Sequence, residues 1–231
     1  MKKHSIALLL LLVLLTGCGA KTEEAPWQTA YRETGKYLQE QDALSAGSVG
    51  GEWAVIGLSR AGLLSDETAQ SYEQTVEDYV KQAGSVRLHH AKSTENSRAI
   101  LGLTAAGYNA ANMAGVDLTA GLTDMAYLRA QGTNGPIWAL IALDCHGYDI
   151  PQCADGEEQT TCEGLVAEIL SYQCSDGGWA LMGDESDVDM TAMALTSLAP
   201  YQEETDIKAA VDAPLTYLSD AQQADGTGGH E

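Results

Sequence analysis

The sequence Gln-Cys-Ser-Asp-Gly-Gly-Trp at residues 173–179 joins two apolar segments, and weaker copies of the same join occur elsewhere in the chain. In each copy an apolar pair is followed by a glutamine and then by a glycine. The pairs begin at Tyr37, Tyr79, Tyr127, Ile169 and Tyr217, in steps of 42, 48, 42 and 48 residues. Self-similarity with a period of this length indicates a repeat architecture.

Short apolar segments rich in small residues follow the first four copies. They cover residues 53–61, 98–106, 138–145 and 190–199. Each ends at a helix-stop residue, namely Gly62, Gly107, Gly147 or Pro200. Because these segments are apolar nearly all round, we predict helices that are buried on most sides.

Amphipathic segments alternate with the buried ones. They cover residues 65–82, 119–131, 161–173 and 206–222. Ser65 is placed to cap the first of them, and Pro214 predicts a kink or a late start in the last. We therefore predict an all-α fold with an inner layer of buried helices and an outer layer of amphipathic ones, an arrangement that either a closed ring or an open solenoid would satisfy.

The pattern Gln-x-x-Asp-Gly-Gly-Trp at residues 173–179 resembles the glutamine–tryptophan repeat of squalene cyclases and the related repeat of protein prenyltransferases. The resemblance covers residues 27–231 and implies an α/α toroid, which is a closed ring of helix pairs. The chain ends at Glu231, where a further inner helix would follow. We therefore expect that the chain is a fragment of a longer toroid, with a ring that is left open at the C-terminus as the alternative.

A second resemblance concerns the small inner helices and the sequence Met-Thr-Ala-Met-Ala-Leu at residues 190–195. These look like the helical domain of cobalamin carriers such as transcobalamin and intrinsic factor. That resemblance implies a corrinoid as a ligand. The chain as a whole is also similar to exported bacterial toroid proteins that are described as terpene-cyclase-like.

The N-terminus predicts export. Lys2 and Lys3 precede an apolar run that is too short to span a bilayer comfortably, which is typical of a signal peptide. The run ends in Leu-Thr-Gly-Cys, which resembles the lipobox of bacterial lipoproteins. We predict a signal peptide at 1–17, lipidation of Cys18 with a tether at 18–26, and the toroid at 27–231. The protein is then extracytoplasmic and anchored to the bacterial cell membrane, with a plain signal peptide as the alternative.

Charge excludes one class of partner. The chain has 33 acidic and 12 basic side chains, for a net charge of -21. Removal of Lys2 and Lys3 with the signal peptide leaves 33 acidic side chains against 10 basic ones. Nucleic-acid binding requires a basic surface, so we expect no nucleic-acid partner.

Four cysteines follow Cys18, and an even number in an exported chain suggests disulfides. Segments 138–146 and 161–173 are expected to pair as antiparallel helices. Cys145 and Cys162 would then lie near the same end, with Cys153 in the loop between. Cys174 would lie about 18 Å away along the second helix, beyond the reach of a disulfide. We predict a bridge among the first three, with Cys153–Cys162 preferred, and an unpaired Cys174.

One motif suggests catalysis. The sequence Asp-Val-Asp-Met at residues 187–190 resembles the acidic motif with which class II terpene cyclases protonate a double bond or an epoxide. The resemblance makes Asp189 the general acid and Asp187 its neighbour, but Met190 stands where the motif has a third aspartate. The alternative is that Asp187 or Asp189 caps the following helix.

No metal site is predicted. Asp144, Cys145 and His146 are consecutive on a helix, so their side chains diverge by about 100° per step and cannot share one ion. His89 and His90 have no cysteine partner nearby in the sequence.

A ligand site follows from the repeat itself. The residues that begin the inner helices should converge at one end of the toroid, where tryptophans and a few polar groups would line a concavity. The predicted ligand-binding residues are Glu52, Trp53, Asn96, Arg98, Asn134, Trp138 and Trp179. The alternative is that the tryptophans are packing residues of the repeat.

Three functional hypotheses result. The first is a non-catalytic lipoprotein whose toroid binds a small molecule, with a corrinoid as the specific candidate, or a partner at its mouth. The second is a terpene-cyclase-like enzyme that uses Asp189 as its acid. The third is a surface module that contacts proteins or glycans.

Overall fold

The computed structural model describes residues 25–41, 44–48 and 50–224, apart from the side chains of residues 205 and 206. This part of the chain contains nine α-helices and no β-strand, which confirms the all-α prediction. The helices are α1 (Pro26–Gln39), α2 (Gly51–Arg60), α3 (Asp66–Ala83), α4 (Thr94–Ala105), α5 (Met125–Arg129), α6 (Asn134–Asp144), α7 (Cys162–Ser171), α8 (Val188–Leu198) and α9 (Thr205–Ala221).

The chain divides after Tyr37 into two compact units. The described part of the first unit is residue 25 and most of α1, in which Gly35 is buried. The second unit begins at Leu38 and holds α2 to α9.

The buried helices of the second unit pack in chain order. α2 packs on α4, α4 on α6, and α6 on α8. These four helices are the apolar segments predicted from the sequence, although each begins two to four residues earlier than predicted. Sequential packing of this kind is common to a solenoid and a toroid. The four predicted apolar helices therefore pack in chain order, whereas their arrangement as the inner ring of a toroid stays a prediction.

Two of the amphipathic helices, α3 and α7, begin at side-chain caps. Ser65 caps α3, because its hydroxyl accepts a hydrogen bond from the backbone N–H of Thr68 at 3.1 Å. Thr161 caps α7 in the same way, accepting from Gly164 at 2.9 Å. α7 packs on α6 and α9 packs on α8, so each of these two helices packs on one of the four apolar helices.

The helix predicted at 119–131 is wrong. A 3₁₀ turn at Leu118–Leu122 and the short helix α5 occupy this segment. Its backbone pairs with a distant loop, since the Met125 N–H donates to the carbonyl of Glu158 and the Thr160 N–H donates to the carbonyl of Thr123, each at 2.8 Å. These bonds interrupt the helical ladder between the two pieces.

Pro214 does not delay the start of α9, which begins at Thr205 and contains the proline in its interior. Because proline has no N–H, the carbonyl of Ala210 loses its helical partner. The side chain of Gln173 replaces that partner, since its Nε2 donates to the Ala210 carbonyl at 2.8 Å.

The same glutamine closes the turn at residues 173–179. Its Nε2 also donates to the carbonyl of Gly177 at 2.8 Å, and Gly177 has a φ of +94°, which favours glycine. A Cβ on Gly178 would lie 2.4 Å from the hydroxyl of Ser186, so this position also excludes a larger residue. Trp179 then enters the core fully buried, and its Nε1 donates to the carbonyl of Ile169 at 2.7 Å.

Two helical glycines make a matched test of packing. A Cβ on Gly102 would lie 2.2 Å from the hydroxyl oxygen of Tyr72, whose ring is fully buried. Gly102→Ala should therefore lower the free energy of unfolding by roughly 1–3 kcal/mol, the usual cost of overpacking. Gly57 has no such neighbour within 4 Å. Gly57→Ala should raise the free energy of unfolding by about 0.5–1 kcal/mol, because alanine favours the helix.

Urea unfolding followed by circular dichroism measures both changes. A Gly102→Ala protein as stable as the wild type would show that Tyr72 does not pack against α4 as described.

Candidate functional site

Several predicted features lie outside the described residues. These are the signal peptide at 1–17, Cys18, the tether up to residue 24, and the C-terminal residues 225–231. Lipidation, membrane anchoring and the incomplete toroid therefore stay predictions. None of the described helices is both long and apolar enough to cross a membrane.

Asp187 is the N-cap of α8. Its Oδ1 accepts a hydrogen bond from the backbone N–H of Met190 at 2.8 Å. Asp189 lies in the first turn of the same helix and is exposed to solvent. The structure thus supports the capping alternative for Asp187. A strong general acid needs a polarised and protected proton, and no contact of this kind surrounds Asp189 in the described chain. The catalytic assignment stays a prediction.

Trp53 and Trp138 come together, as the sequence predicted for the start of the inner helices. Their ring centroids are 5.2 Å apart and their planes are tilted by 56°. Trp53 belongs to α2 and Trp138 to α6, and both helices pack on α4. The two rings therefore link α2 to α6, and with α4 these helices form one three-helix face. Trp53 remains 39% exposed on that face.

A groove lies on the same three-helix face, towards the C-terminal ends of α2 and α4. We call it the α4 groove. Its volume is about 230 Å³, and it is lined by Ile56, Ser59, Arg60, Leu101, Thr104, Ala105 and Cys145. This end of the inner helices was not predicted as a site. The helical spacing of Trp53, Gly57 and Arg60 could have indicated it, because residues at i, i+4 and i+7 share one helix face.

The hydroxyl groups of the α4 groove already have partners. Ser59 Oγ donates to the carbonyl of Ala105 at 2.6 Å. Thr104 Oγ1 donates to the carbonyl of Ile100 at 2.7 Å and contacts the hydroxyl of Tyr148 at the same distance. Burial raises the pKa of the Cys145 thiol, which keeps it protonated at neutral pH. Among the described residues that line the groove, only Arg60 is charged.

Glu52 and Arg98 belong to a polar cluster beside Trp53. Glu52 is 1% exposed, and its Oε1 accepts from the backbone N–H of Gly47 at 2.6 Å. Arg98 pairs with Glu95 at 2.7 Å. In the described chain, Glu52 Oε2 and Arg98 Nε have no hydrogen-bond partner.

The ionisation of Glu52 is disfavoured. Burial raises the pKa of its carboxyl group, and the nearby Glu95 acts in the same direction. Hydrogen bonds from the backbone of Glu52 and Gly47, and the charge of Arg98, act against this shift without cancelling it. The cluster therefore contains a carboxyl group that is easier to protonate than an exposed one.

Three of the predicted ligand residues lie elsewhere or remain unassigned. Asn96 is buried, and its side chain is hydrogen-bonded to the backbone. Its Nδ2 donates to the carbonyls of Val86 and Leu118, and its Oδ1 accepts from the N–H of Leu88. Trp179 is fully buried, so it packs in the core rather than on the three-helix face. Asn134 is half-buried at the start of α6.

All four described cysteines are free thiols. Cys153 Sγ donates to the carbonyl of Glu157 at 3.6 Å, within its own loop. Cys162 instead interacts with the hydroxyl of Tyr201. The predicted Cys153–Cys162 bridge is therefore not formed in this structure, and it stays a prediction for the oxidised protein. Among the described residues, no group of histidine, cysteine and acidic side chains is arranged to hold a metal ion.

Comparison of the chain with models of protein families, with curated proteins and with solved structures gave no match. The resemblance to squalene cyclases, protein prenyltransferases and cobalamin carriers therefore stays a prediction from sequence motifs.

The contribution of the Asp187 cap to stability can be measured by substitution. Asp187→Ala removes the acceptor of the Met190 N–H and should lower the free energy of unfolding by about 1 kcal/mol. Asp187→Asn keeps a capping oxygen and should lie within a few tenths of a kcal/mol of the wild type. Thermal unfolding of both variants measures the difference. Equal losses in the two variants would mean that the negative charge, and not the cap, is what matters.

Glu52 gives the protein a pH-dependent stability. Because its pKa is raised on folding, the wild type loses stability as pH rises from the ordinary glutamate range through the folded pKa. Glu52→Gln should therefore be more stable than the wild type at neutral pH, because the glutamine carries no charge that must be buried. The advantage should vanish at pH values below the ordinary glutamate range.

Denaturation of both proteins between about pH 4 and pH 7.5 tests whether the stability of Glu52→Gln relative to the wild type rises with pH. Glu185→Gln removes the same charge from an exposed loop and controls for net charge. A Glu52→Gln protein that gains stability on acidification relative to the wild type would contradict the expected direction.

Proposed function

We propose that this chain is an extracytoplasmic, lipid-anchored protein that binds a small molecule on the three-helix face formed by α2, α4 and α6. The observation that carries the proposal is the contact between Trp53 and Trp138. Binding sites are concave and mainly apolar, with a few polar groups that fix orientation. This face has an aromatic pair, an adjoining groove and charged residues on both sides of the pair.

The tryptophans of the chain differ in a way that favours this interpretation. Trp179 is fully buried and its Nε1 is bonded, as expected for a packing residue. Trp53 is partly exposed, and no hydrogen bond from its Nε1 occurs in the described chain. Contact with Trp138 fixes the position of the Trp53 ring, and part of the ring is exposed to solvent. An aromatic ring of this kind is suited to contact a ligand.

A corrinoid is the specific ligand suggested by the resemblance to cobalamin carriers. The α4 groove, at about 230 Å³, lies below the usual range for pockets of drug-sized ligands. A bulky ligand would therefore lie across the open three-helix face, with the tryptophan pair beneath it and only one edge in the groove. Lipidation at Cys18 would hold such a binding face close to the cell membrane.

Binding of cyanocobalamin to the exported chain tests the corrinoid proposal. Equilibrium dialysis should show visible absorbance retained with the protein. Trp53→Ala should weaken binding about tenfold or more, since an aromatic contact at the centre of a site contributes about 1.4 kcal/mol or more. Trp27→Ala is the matched control, because Trp27 lies on α1 and is 68% exposed.

Two results would count against the proposal. Retention that is unchanged in both Trp53→Ala and Trp138→Ala would place the site elsewhere. A lack of retention by the wild type would remove the corrinoid from consideration.

A further inference from the structure

Arg60 is unusual among the arginines of the second unit. The other three form ion pairs: Arg87 with Asp124 and Glu157, Arg98 with Glu95, and Arg129 with Glu158 and Glu168. Arg60 makes no ion pair with any residue that the structure describes, although acidic side chains outnumber basic ones by 33 to 12. It lines the α4 groove from the last turn of α2. A guanidinium group left available in so acidic a chain is a ready partner for an anion.

Gly57 is a second observation that points to a binding site at the α4 groove. It lies in the interior of α2, where glycine weakens a helix relative to alanine. Helical glycines elsewhere have a packing reason, such as the contact of Gly102 with Tyr72. Nothing lies within 4 Å of where a Cβ on Gly57 would be, and the residue is exposed. It lies one turn after Trp53 and one turn before Arg60, so it leaves open space between them.

The other residues around this space are either apolar or have hydroxyl groups that are already hydrogen-bonded within the protein. Ile56 and Leu101 supply the apolar surface of the α4 groove. The hydroxyls of Ser59 and Thr104 are bonded within the protein. Among the described residues, an occupant of the groove would therefore meet an apolar floor and the cation of Arg60, and it could reach the ring of Trp53, which lies two turns earlier on the same helix.

We infer that the α4 groove binds the carboxylate end of a small molecule with a flat apolar body. The carboxylate pairs with the guanidinium of Arg60, and the body lies over Gly57 and against Trp53. One guanidinium matches one carboxylate in charge and in its two-pronged geometry. A polyanion is disfavoured by the net charge of -21. This inference rests on the proposed function and specifies the class of ligand that enters the groove.

Two probes of the same shape and different charge test it. Naphthalene-2-carboxylate carries the anion, and naphthalene-2-carboxamide is its neutral counterpart. Calorimetric titration of the exported chain should show tighter binding of the carboxylate, by about tenfold. Arg60→Gln should abolish that preference and Arg60→Lys should keep part of it. Lys92→Gln removes the same charge from an exposed loop near the other end of α4 and should leave the preference unchanged.

Gly57→Leu tests the space itself. A leucine there should block both probes, while the midpoint of thermal unfolding stays the same or rises, because leucine favours the helix and its Cβ has no neighbour within 4 Å among the described residues. Loss of binding without loss of stability separates an effect on the site from misfolding.

The outcomes distinguish the inference from the proposed function. Equal affinity for the two probes, a preference that survives in Arg60→Gln, or unchanged binding in Gly57→Leu would overturn the inference. The proposed function would stand in those cases if Trp53→Ala still weakened binding. If neither probe bound the wild type, the inference would be overturned, whereas the proposed function would still be decided by the retention of cyanocobalamin.

Discussion

The fold of the second unit depends on one side-chain amide. Gln173 donates to the carbonyl of Gly177 in its own turn and to the carbonyl of Ala210, which Pro214 has deprived of its helical partner. Buried backbone carbonyls without partners are costly, so the proline and the glutamine are energetically linked although they lie far apart in the sequence. The turn places Trp179 in the core and Asp187 at the cap of α8. A break in this one contact would loosen α8 and α9 together.

The sequence predicted those parts of the fold that local chemistry decides. Helix α3 shows this best, because Ser65 marks its start, Gly84 marks its end in a left-handed conformation, and an apolar stripe runs between them. The segment 119–131 has a similar apolar pattern, and yet it is broken. Its backbone bonds go to residues 158–160, which no local pattern reveals. The start of α9 was predicted too late for the same reason. Gln173, whose side chain bonds the Ala210 carbonyl in place of the missing proline N–H, lies in a different repeat.

The candidate site was predicted in part. Trp53, Glu52 and Arg98, which the sequence placed at the starts of the inner helices, are neighbours in the structure, but their role in binding stays a prediction. Sequence periodicity did not distinguish the exposed Trp53 from the buried Trp179, since residue type alone does not set the helix face that a neighbour covers. It also missed Arg60 and Gly57, which lie at the other end of α2. Their role depends on the absence of neighbours, which only the packed structure can show.

The contact between Trp53 and Trp138 has a geometric consequence for the inner helices. In a layer of successive helices, the angle between one helix and the next sets how many helices complete a full turn. Two indole rings that touch each other link α2 directly to α6, although both helices also pack on α4. A molecule that inserted between the rings would have to change the angle between α2 and α6. Under the proposed function, binding of a ligand and the angle between these helices would therefore be coupled.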